Sequence, residues 1–266
     1  MSRSARRRPE PGAESCRLVR PLRLGLAKEV WLARAGQREV VVHRHLAAGP
    51  FPPPPPSEVL KALNHPHLVR FLWQFEESDG TLVQVFERLD GRTLAEVTPP
   101  IVKVLHGCLL ALRWLHERCP IAPRVHGDIS PSNIFWCTGG RVKLIDLLAL
   151  RPGEYPVGPG VVFGTLVYLA PEILAGGPHL EAGDIWGLAA SLLRVATGPF
   201  PWADASSPIE VSECLRHHPP WAMARALDLP QPVPDILSRM LAPDPLERPR
   251  ASDLLRWLRR SLASDL

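Results

Sequence analysis

From Arg17 to His45 the chain alternates short apolar runs with turn residues. Val30–Ala33 and Glu39–His43 flank Arg34–Arg38, where Ala35-Gly36-Gln37 supplies a turn, so a β-hairpin is expected. Gly49-Pro50-Phe51 then lead into an unbroken proline run, Pro52–Pro56. Proline has no backbone N–H and a fixed φ, so this run cannot be helix and should be polyproline II. Ser57 follows as the expected N-cap of a short helix, Glu58–Asn64. Two further apolar runs, Leu68–Phe75 and Leu82–Phe86, predict a second hairpin around Ser78-Asp79-Gly80.

After Asp90-Gly91 the period changes. Between about Pro100 and Glu117 apolar side chains recur at helical spacing: Val104, Leu105, Cys108, Leu109, Leu112 and Leu115. Short strands are expected at Ile134–Trp136 and Val142–Ile145, and helices at Asp184–Thr197, Asp235–Leu241 and Ala251–Leu262. A strand-rich first third before a helix-rich remainder predicts an α+β architecture, a small β-rich part and a larger helical part. The chain has no internal repeat.

The 266 residues are 45% hydrophobic and 22% charged, ordinary for a globular protein with a sizeable core. The net charge of +4 draws on Arg3, Arg6, Arg7 and Arg8. Residues 1–15 read as a disordered basic tail; with no aromatic residues among the arginines, nucleic acid is not expected as a partner. The five cysteines are widely spaced with no CxxC pair, which argues against a disulfide framework or a zinc site and for a reducing compartment. The pairs His43/His45 and His217/His218 lack a third ligand at zinc spacing. The greasiest stretches are short and broken by Lys103, His106 and Arg194, so no membrane span is expected. An intracellular, cytoplasmic location follows, with the nucleus open.

The segments that carry chemistry are His126-Gly127-Asp128-Ile129-Ser130-Pro131-Ser132-Asn133-Ile134-Phe135, then Val142-Lys143-Leu144-Ile145-Asp146, then Gly164-Thr165-Leu166-Val167-Tyr168-Leu169-Ala170-Pro171-Glu172. In this order and at these separations they resemble the eukaryotic protein kinase family, Ser/Thr branch. The resemblance extends to Asn64-His65-Pro66-His67-Leu68-Val69, to Asp184-Ile185-Trp186, and to Asp244-Pro245 with Arg248-Pro249. It implies a two-lobed kinase-like domain over residues 16–262, with an N-lobe over about 16–88 and a C-lobe over about 89–262. It also implies roles. Asp128 takes the position of the base that receives or orients the substrate hydroxyl proton. Asn133 and Asp146 take those of the magnesium ligands, whose hard oxygens suit that ion. Glu172 and Arg248 would form the ion pair that anchors the activation segment, and Asp184 would accept backbone N–H bonds from the catalytic loop. Nucleotide contact is implied at Gly25, Lys28, Val30, Val41, His43, Glu87 and Phe135. Retained acids could equally brace the loop of a scaffold that transfers nothing.

The departures fall on the nucleotide-handling parts. Where the family reads GxGxxGxV, this chain reads Arg23-Leu24-Gly25-Leu26-Ala27-Lys28-Glu29-Val30, keeping only the middle glycine. Glycines there let backbone N–H groups approach phosphates, so the phosphate grip should be poor. The third strand ends Val40-Val41-Val42-His43, with His43 for the phosphate-contacting lysine and Val41 for the alanine that lines the adenine pocket. The glutamate that would pair with that lysine falls at Pro56. Asp146 is followed by Leu147-Leu148, Ser130 replaces the catalytic-loop lysine, and Gly127 replaces the arginine before the catalytic aspartate. Each lost phosphate contact can be worth about 3 kcal/mol in the transition state. Lys28, at the last glycine position of the loop, matches the place from which kinases lacking the strand lysine reach the phosphates; the plain alternative is a surface lysine on a strand.

Between Asp146 and Thr165 only Tyr155 offers a hydroxyl for phosphorylation, so switching by loop phosphorylation is not expected. The proline run reads either as a stiff linker or as a dock for an SH3, WW or profilin-type module. Two functional readings stand. One is a pseudokinase or scaffold that engages a protein partner, with ATP and Mg²⁺ bound weakly or not at all. The other is a Ser/Thr kinase that passes the γ-phosphate of ATP to a protein hydroxyl with Lys28 in place of the strand lysine. A small-molecule kinase is the more distant third, because Thr165 to Glu172 resembles a segment that docks protein substrate.

Overall fold

The computed structural model describes residues 16–25, 28–46, 53–122, 124–152 and 164–264. The expected basic tail, Pro52 and Tyr155 lie outside the described residues. Two compact units emerge, one drawn from Met1–Leu63 and Arg70–Leu89, the other from Asn64–Val69 and Asp90–Leu266.

The first unit is a five-stranded antiparallel sheet with one short helix. Its strands are β1 (Cys16–Leu24), β2 (Lys28–Ala35), β3 (Arg38–His45), β4 (Phe71–Glu76) and β5 (Leu82–Glu87), in the order β1-β2-β3-β5-β4. Both predicted hairpins form. Gly36 turns β2 into β3 at φ 59°, a left-handed conformation that costs glycine little. One sheet face buries Ala33, Val40, Val42, Val83 and Val85, the alternate residues expected of a half-covered sheet. The other face carries Lys28, Val30 and Leu32 opposite His45, His43 and Val41.

The helix α1 (Ser57–Ala62) differs at both ends from the expected Glu58–Asn64. Pro56, at φ −59° and ψ 154°, is the cap residue, and its carbonyl accepts the Leu60 N–H at 3.1 Å. Ser57 is therefore the first helical residue, and its hydroxyl donates to the Glu58 carboxylate at 3.0 Å rather than capping. β4 begins at Phe71, three residues later than expected, because the chain before it pairs elsewhere. The Val69 N–H donates to the Leu144 carbonyl and the Leu144 N–H to the His67 carbonyl, each at 2.9 Å. That pairing places Asn64–Val69 in the second unit.

The second unit is mainly helical. Its small sheets are β6 (Gly91–Thr93) with β8 (Ile134–Cys137) and β9 (Val142–Leu144), and β7 (Arg124–Val125) with β10 (Arg151–Pro152). Its helices are α2 (Ile101–Arg113), which runs on as a π-helical turn Trp114–Arg118, α3 (Pro171–Leu174), α4 (Glu181–Thr197), α5 (Pro208–His217), α6 (Pro220–Arg225), α7 (Val233–Met240) and α8 (Ala251–Ser264). Every residue of α4 from Asp184 to Leu193 is buried, so it is the central core helix. Leu105, Leu109, Leu112 and Leu115 from α2 and its π turn are fully buried, as their spacing predicted. No helix among the described residues is long and apolar enough to cross a membrane.

The His65 ring stacks on Trp114 with centroids 5.7 Å apart. Burial, with the charges of His67, Arg113 and Lys143 adding to it, pushes the His65 imidazole from 6.5 down to about 4. Between these values the unfolded chain takes up a proton that the folded one refuses. The stabilisation is therefore whole above about pH 6.5 and is lost as pH falls toward 4. Denaturant unfolding across this range should show stability falling with acid, and His65→Phe should flatten the fall. Burial lowers His67 and His106 as well, so some slope persists in the variant. An identical slope in the variant would show that His65 does not titrate this way.

Candidate functional site

In the second unit, β7 feeds the loop His126–Asn133 into the first strand of the β8–β9 hairpin. The loop is held from beneath by α4. Asp184 accepts the His126 N–H at 2.7 Å on Oδ2 and the Gly127 N–H at 2.9 Å on Oδ1. The buried His116 Nε2 donates to the same Oδ2 at 2.9 Å. Burial raises the Asp184 pKa, but the hydrogen bond and charge of His116 and the Gly127 N–H outweigh it. The carboxyl ends below its usual range. Gly187 lets α4 come this close, since a Cβ there would sit 2.9 Å from the Ile129 carbonyl oxygen.

Asp128 is held on both oxygens. Asn133 Nδ2 donates to Oδ2 at 2.7 Å and to the Asp128 carbonyl at 2.9 Å. Thr165 donates to Oδ1 through its N–H at 2.8 Å and its hydroxyl at 2.9 Å. With both Asn133 amide protons engaged by Asp128, its Oδ1 is the atom left to act as a metal ligand. The Asn133 carbonyl accepts the Ile145 N–H at 2.9 Å, which fixes the chain just before Asp146. Asp146 itself adopts a left-handed conformation, φ 62° and ψ 70°, rare outside glycine and a mark of a constrained turn. His126 Nε2 lies 3.1 Å from the Ile145 carbonyl and its Nδ1 accepts the Asp128 N–H at 3.4 Å, so the two partners select the tautomer with the proton on Nε2.

Two replacements acquire a physical meaning here. Ser130 is fully buried and its hydroxyl pairs with that of Ser132 at 2.9 Å, so the position holds a short neutral contact. Gly127 sits at φ 78°, and a Cβ there would meet the Ala149 carbonyl oxygen at 2.9 Å. An arginine at 127 would therefore be strained and would collide with the segment after Asp146.

Glu172 and Arg248 are brought together as a two-pronged pair, with N–O distances of 2.6 and 2.7 Å. The Arg248 side chain is fully buried and that of Glu172 is 19% exposed. The remaining guanidinium protons go to the carbonyls of Ala242, Ala182 and Pro243, and the group lies 4.9 Å above the Trp186 ring. Every donor of the fork is satisfied.

The first unit holds the other candidate residues. The Gly25 N–H donates to the Lys28 carbonyl at 3.1 Å and closes the turn between β1 and β2. Lys28, 8% exposed, stands opposite His45, and Val30 stands opposite His43, so Lys28 and His43 are diagonal neighbours on one sheet face. The His43 ring is equally buried and lies 4.7 Å from the Phe86 ring. Val41 is paired with Phe86 on that face. Beside them is a network the sequence did not announce. His45 Nε2 meets Gln84 Oε1 at 3.0 Å, and Gln84 Nε2 donates to the carbonyl of the buried Pro55 at 2.9 Å. Part of the proline run is thus built into this unit. Glu87 accepts the Arg70 N–H at 2.8 Å, and Phe135 is a half-buried residue of β8 in the second unit.

Residues 57–257 match the family model described as the protein kinase domain, and the chain belongs to that family. Among similar proteins, it is 33% identical over 202 residues to a mouse (Mus musculus) protein called inactive serine/threonine-protein kinase PLK5, covering 73% of this chain and 32% of the relative. It is 34% identical over 146 residues to the MAP kinase kinase skh1/pek1 of Schizosaccharomyces pombe, covering 53% of this chain and 39% of that one. It is 29% identical over 206 residues to the serine/threonine-protein kinase PAK mbt of Drosophila melanogaster, covering 74% and 31%. The chain spans roughly a third of the length of these relatives.

Proposed function

We propose that this chain is a pseudokinase, a kinase-fold scaffold that holds a protein partner and transfers no phosphate at ordinary rates. The observation that carries the reading is the state of the first unit's sheet face. At the strand position where the family places a phosphate-contacting lysine stands an imidazole, buried and packed on Phe86. The helix that should offer it a carboxylate starts only at Ser57, and its one acid, Glu58, is exposed and bonded to Ser57. Ser130 leaves the second unit's phosphate contact neutral as well. The inactive status in the name of the mouse relative agrees with this reading.

A second reading is favoured by the strand register. Lys28 lies on the same face as His43, one pleat away, and Asp128 is aligned by Asn133 and Thr165. A Ser/Thr kinase using Lys28 on the phosphates would need just these features.

The two readings part in a thermal-shift titration. A ligand present at a hundred times its Kd stabilises by about 2.7 kcal/mol, which moves the melting temperature of a domain this size by several degrees. The pseudokinase reading expects millimolar ATP with Mg²⁺ to leave it unchanged. A Mg²⁺-dependent shift of several degrees, abolished by Asp146→Asn, would overturn the non-binding form of the proposal.

A further inference from the structure

We infer that β1 is a docking strip for an extended acidic segment of a protein partner, one with carboxylates at every second position. The inference rests on β1 alone and is independent of whether the catalytic loop transfers phosphate. β1 is the end strand of its sheet, and all of Arg17–Leu24 is exposed. Its arginines recur every third residue, at Arg17, Arg20 and Arg23. In a regular strand that spacing would scatter them over both faces.

The register prevents this. Arg17 stands opposite Arg34, Arg20 opposite Leu32 and Arg23 opposite Val30, with an irregularity after Leu18 and another after Pro21. Each irregularity absorbs one extra residue, Val19 and then Leu22. The three arginines consequently share the face of β2 that carries Val30, Leu32 and Arg34, and they take that strand's two-residue spacing of about 6.5–7 Å. An extended partner with acids at alternate positions repeats at the same distance.

No acid within the sheet neutralises this row. Arg17 faces Arg34 across the ladder, a like-charge pair that is unfavourable by itself. Glu29 of β2 pairs with Leu24 on the opposite face and is bound to Arg44 and Trp31. Glu39 of β3 lies opposite Arg34 but pairs with Arg88. Among the described residues Arg17, Arg20, Arg23 and Arg34 make no ion pair. The described part of the sheet thus leaves this row of charge for an acidic partner to complement. Val19 and Leu22, 50% and 45% exposed, offer apolar contact between the charges. Strand addition along the outer side of β1 would supply main-chain bonds, interrupted at Pro21, which has no N–H to give.

The probe is a dye-labelled peptide of alternating Glu and Thr, followed by fluorescence anisotropy. The reference is a peptide of the same composition with its glutamates in one block. Binding should favour the alternating peptide. The triple variant Arg17→Ser, Arg20→Ser, Arg23→Ser should weaken it by roughly ten- to a hundredfold, three exposed ion pairs' worth. Arg216→Ser with Arg256→Ser, on the other unit, should change nothing. Should the triple variant melt early, Arg20→Glu alone must still cause a loss. Equal affinity for both peptides, or no loss on removing the arginines, would overturn the inference. So would arginine-dependent binding to phosphatidylserine vesicles in the absence of peptide binding.

Discussion

Replacing Arg248 with alanine is expected to lower the unfolding free energy by about 3–5 kcal/mol, or to leave the protein insoluble. Three losses combine. Glu172 keeps its charge with its partner gone, the carbonyls of Ala242, Ala182 and Pro243 lose their donor, and the Trp186 ring loses the guanidinium packed above it. Arg248→Lys should recover only a fraction, because an ammonium cannot make two parallel bonds to a carboxylate while serving three carbonyls. Glu172→Gln is the milder change, since its partly exposed side chain retains an oxygen for the guanidinium. Urea unfolding of the three variants checks the order. An Arg248→Ala midpoint equal to that of the parent protein would mean the pair contributes no stability.

The predicted elements that matched were those whose pattern is local. The two hairpins were legible because turn residues lie between apolar runs of strand length, and α4 because its apolar residues run on past the length of a strand. What the sequence could not set was the outcome of competition for a partner. Leu68 and Val69 look like the start of β4, yet they pair with β9, and nothing in their own residue types favours one partner over the other. Ser57 is a good cap by type, but Pro56 already fixes the extended backbone that a cap residue needs. The strand β1, with arginines and bulges in place of alternation, and the polar helix α5 gave no periodic signal strong enough to predict.

The candidate site divides along the same line. Asp128, Asn133, Asp146, Glu172, Asp184 and Arg248 entered as candidates through the family resemblance, and the structure brings Glu172 to Arg248 and sets Asp184 beneath the loop. His116 was not among them, since one histidine in an apolar helix carries no signal until Asp184 is placed beside it. The hold of Thr165 on Asp128 was also hidden, because 37 residues separate them. The meaning of Gly127 changed once its surroundings were known. Read as a missing arginine, it marks a loss; with φ 78° and Ala149 against it, it is also the residue that this loop's backbone requires.

Asp128→Asn is the substitution expected to affect chemistry most. If the chain transfers phosphate, the substrate hydroxyl loses its carboxylate, and the rate should fall about a hundred- to ten-thousandfold. The new amide must also place an NH₂ against Thr165 or against the Asn133 amide, so stability should drop by about 1–3 kcal/mol whether or not the protein is an enzyme. Activity then locates the cation. Positive charge must reach the β- and γ-phosphates, and the Ser130 hydroxyl, paired with Ser132, carries none. On the Lys28 reading, Lys28→Met abolishes transfer while His43→Ala leaves most of it. Transfer that dies with His43→Ala and survives Lys28→Met would eliminate that mechanism. The pseudokinase reading makes a different demand on the same variants. Radiolabelled ATP with Mg²⁺ or Mn²⁺ should yield no labelled protein even from the parent chain, and partner binding should survive Asp128→Asn combined with Asp146→Asn. Transfer by the parent chain that is lost in Asp128→Asn would overturn it, because a contaminating kinase would not respond to that substitution.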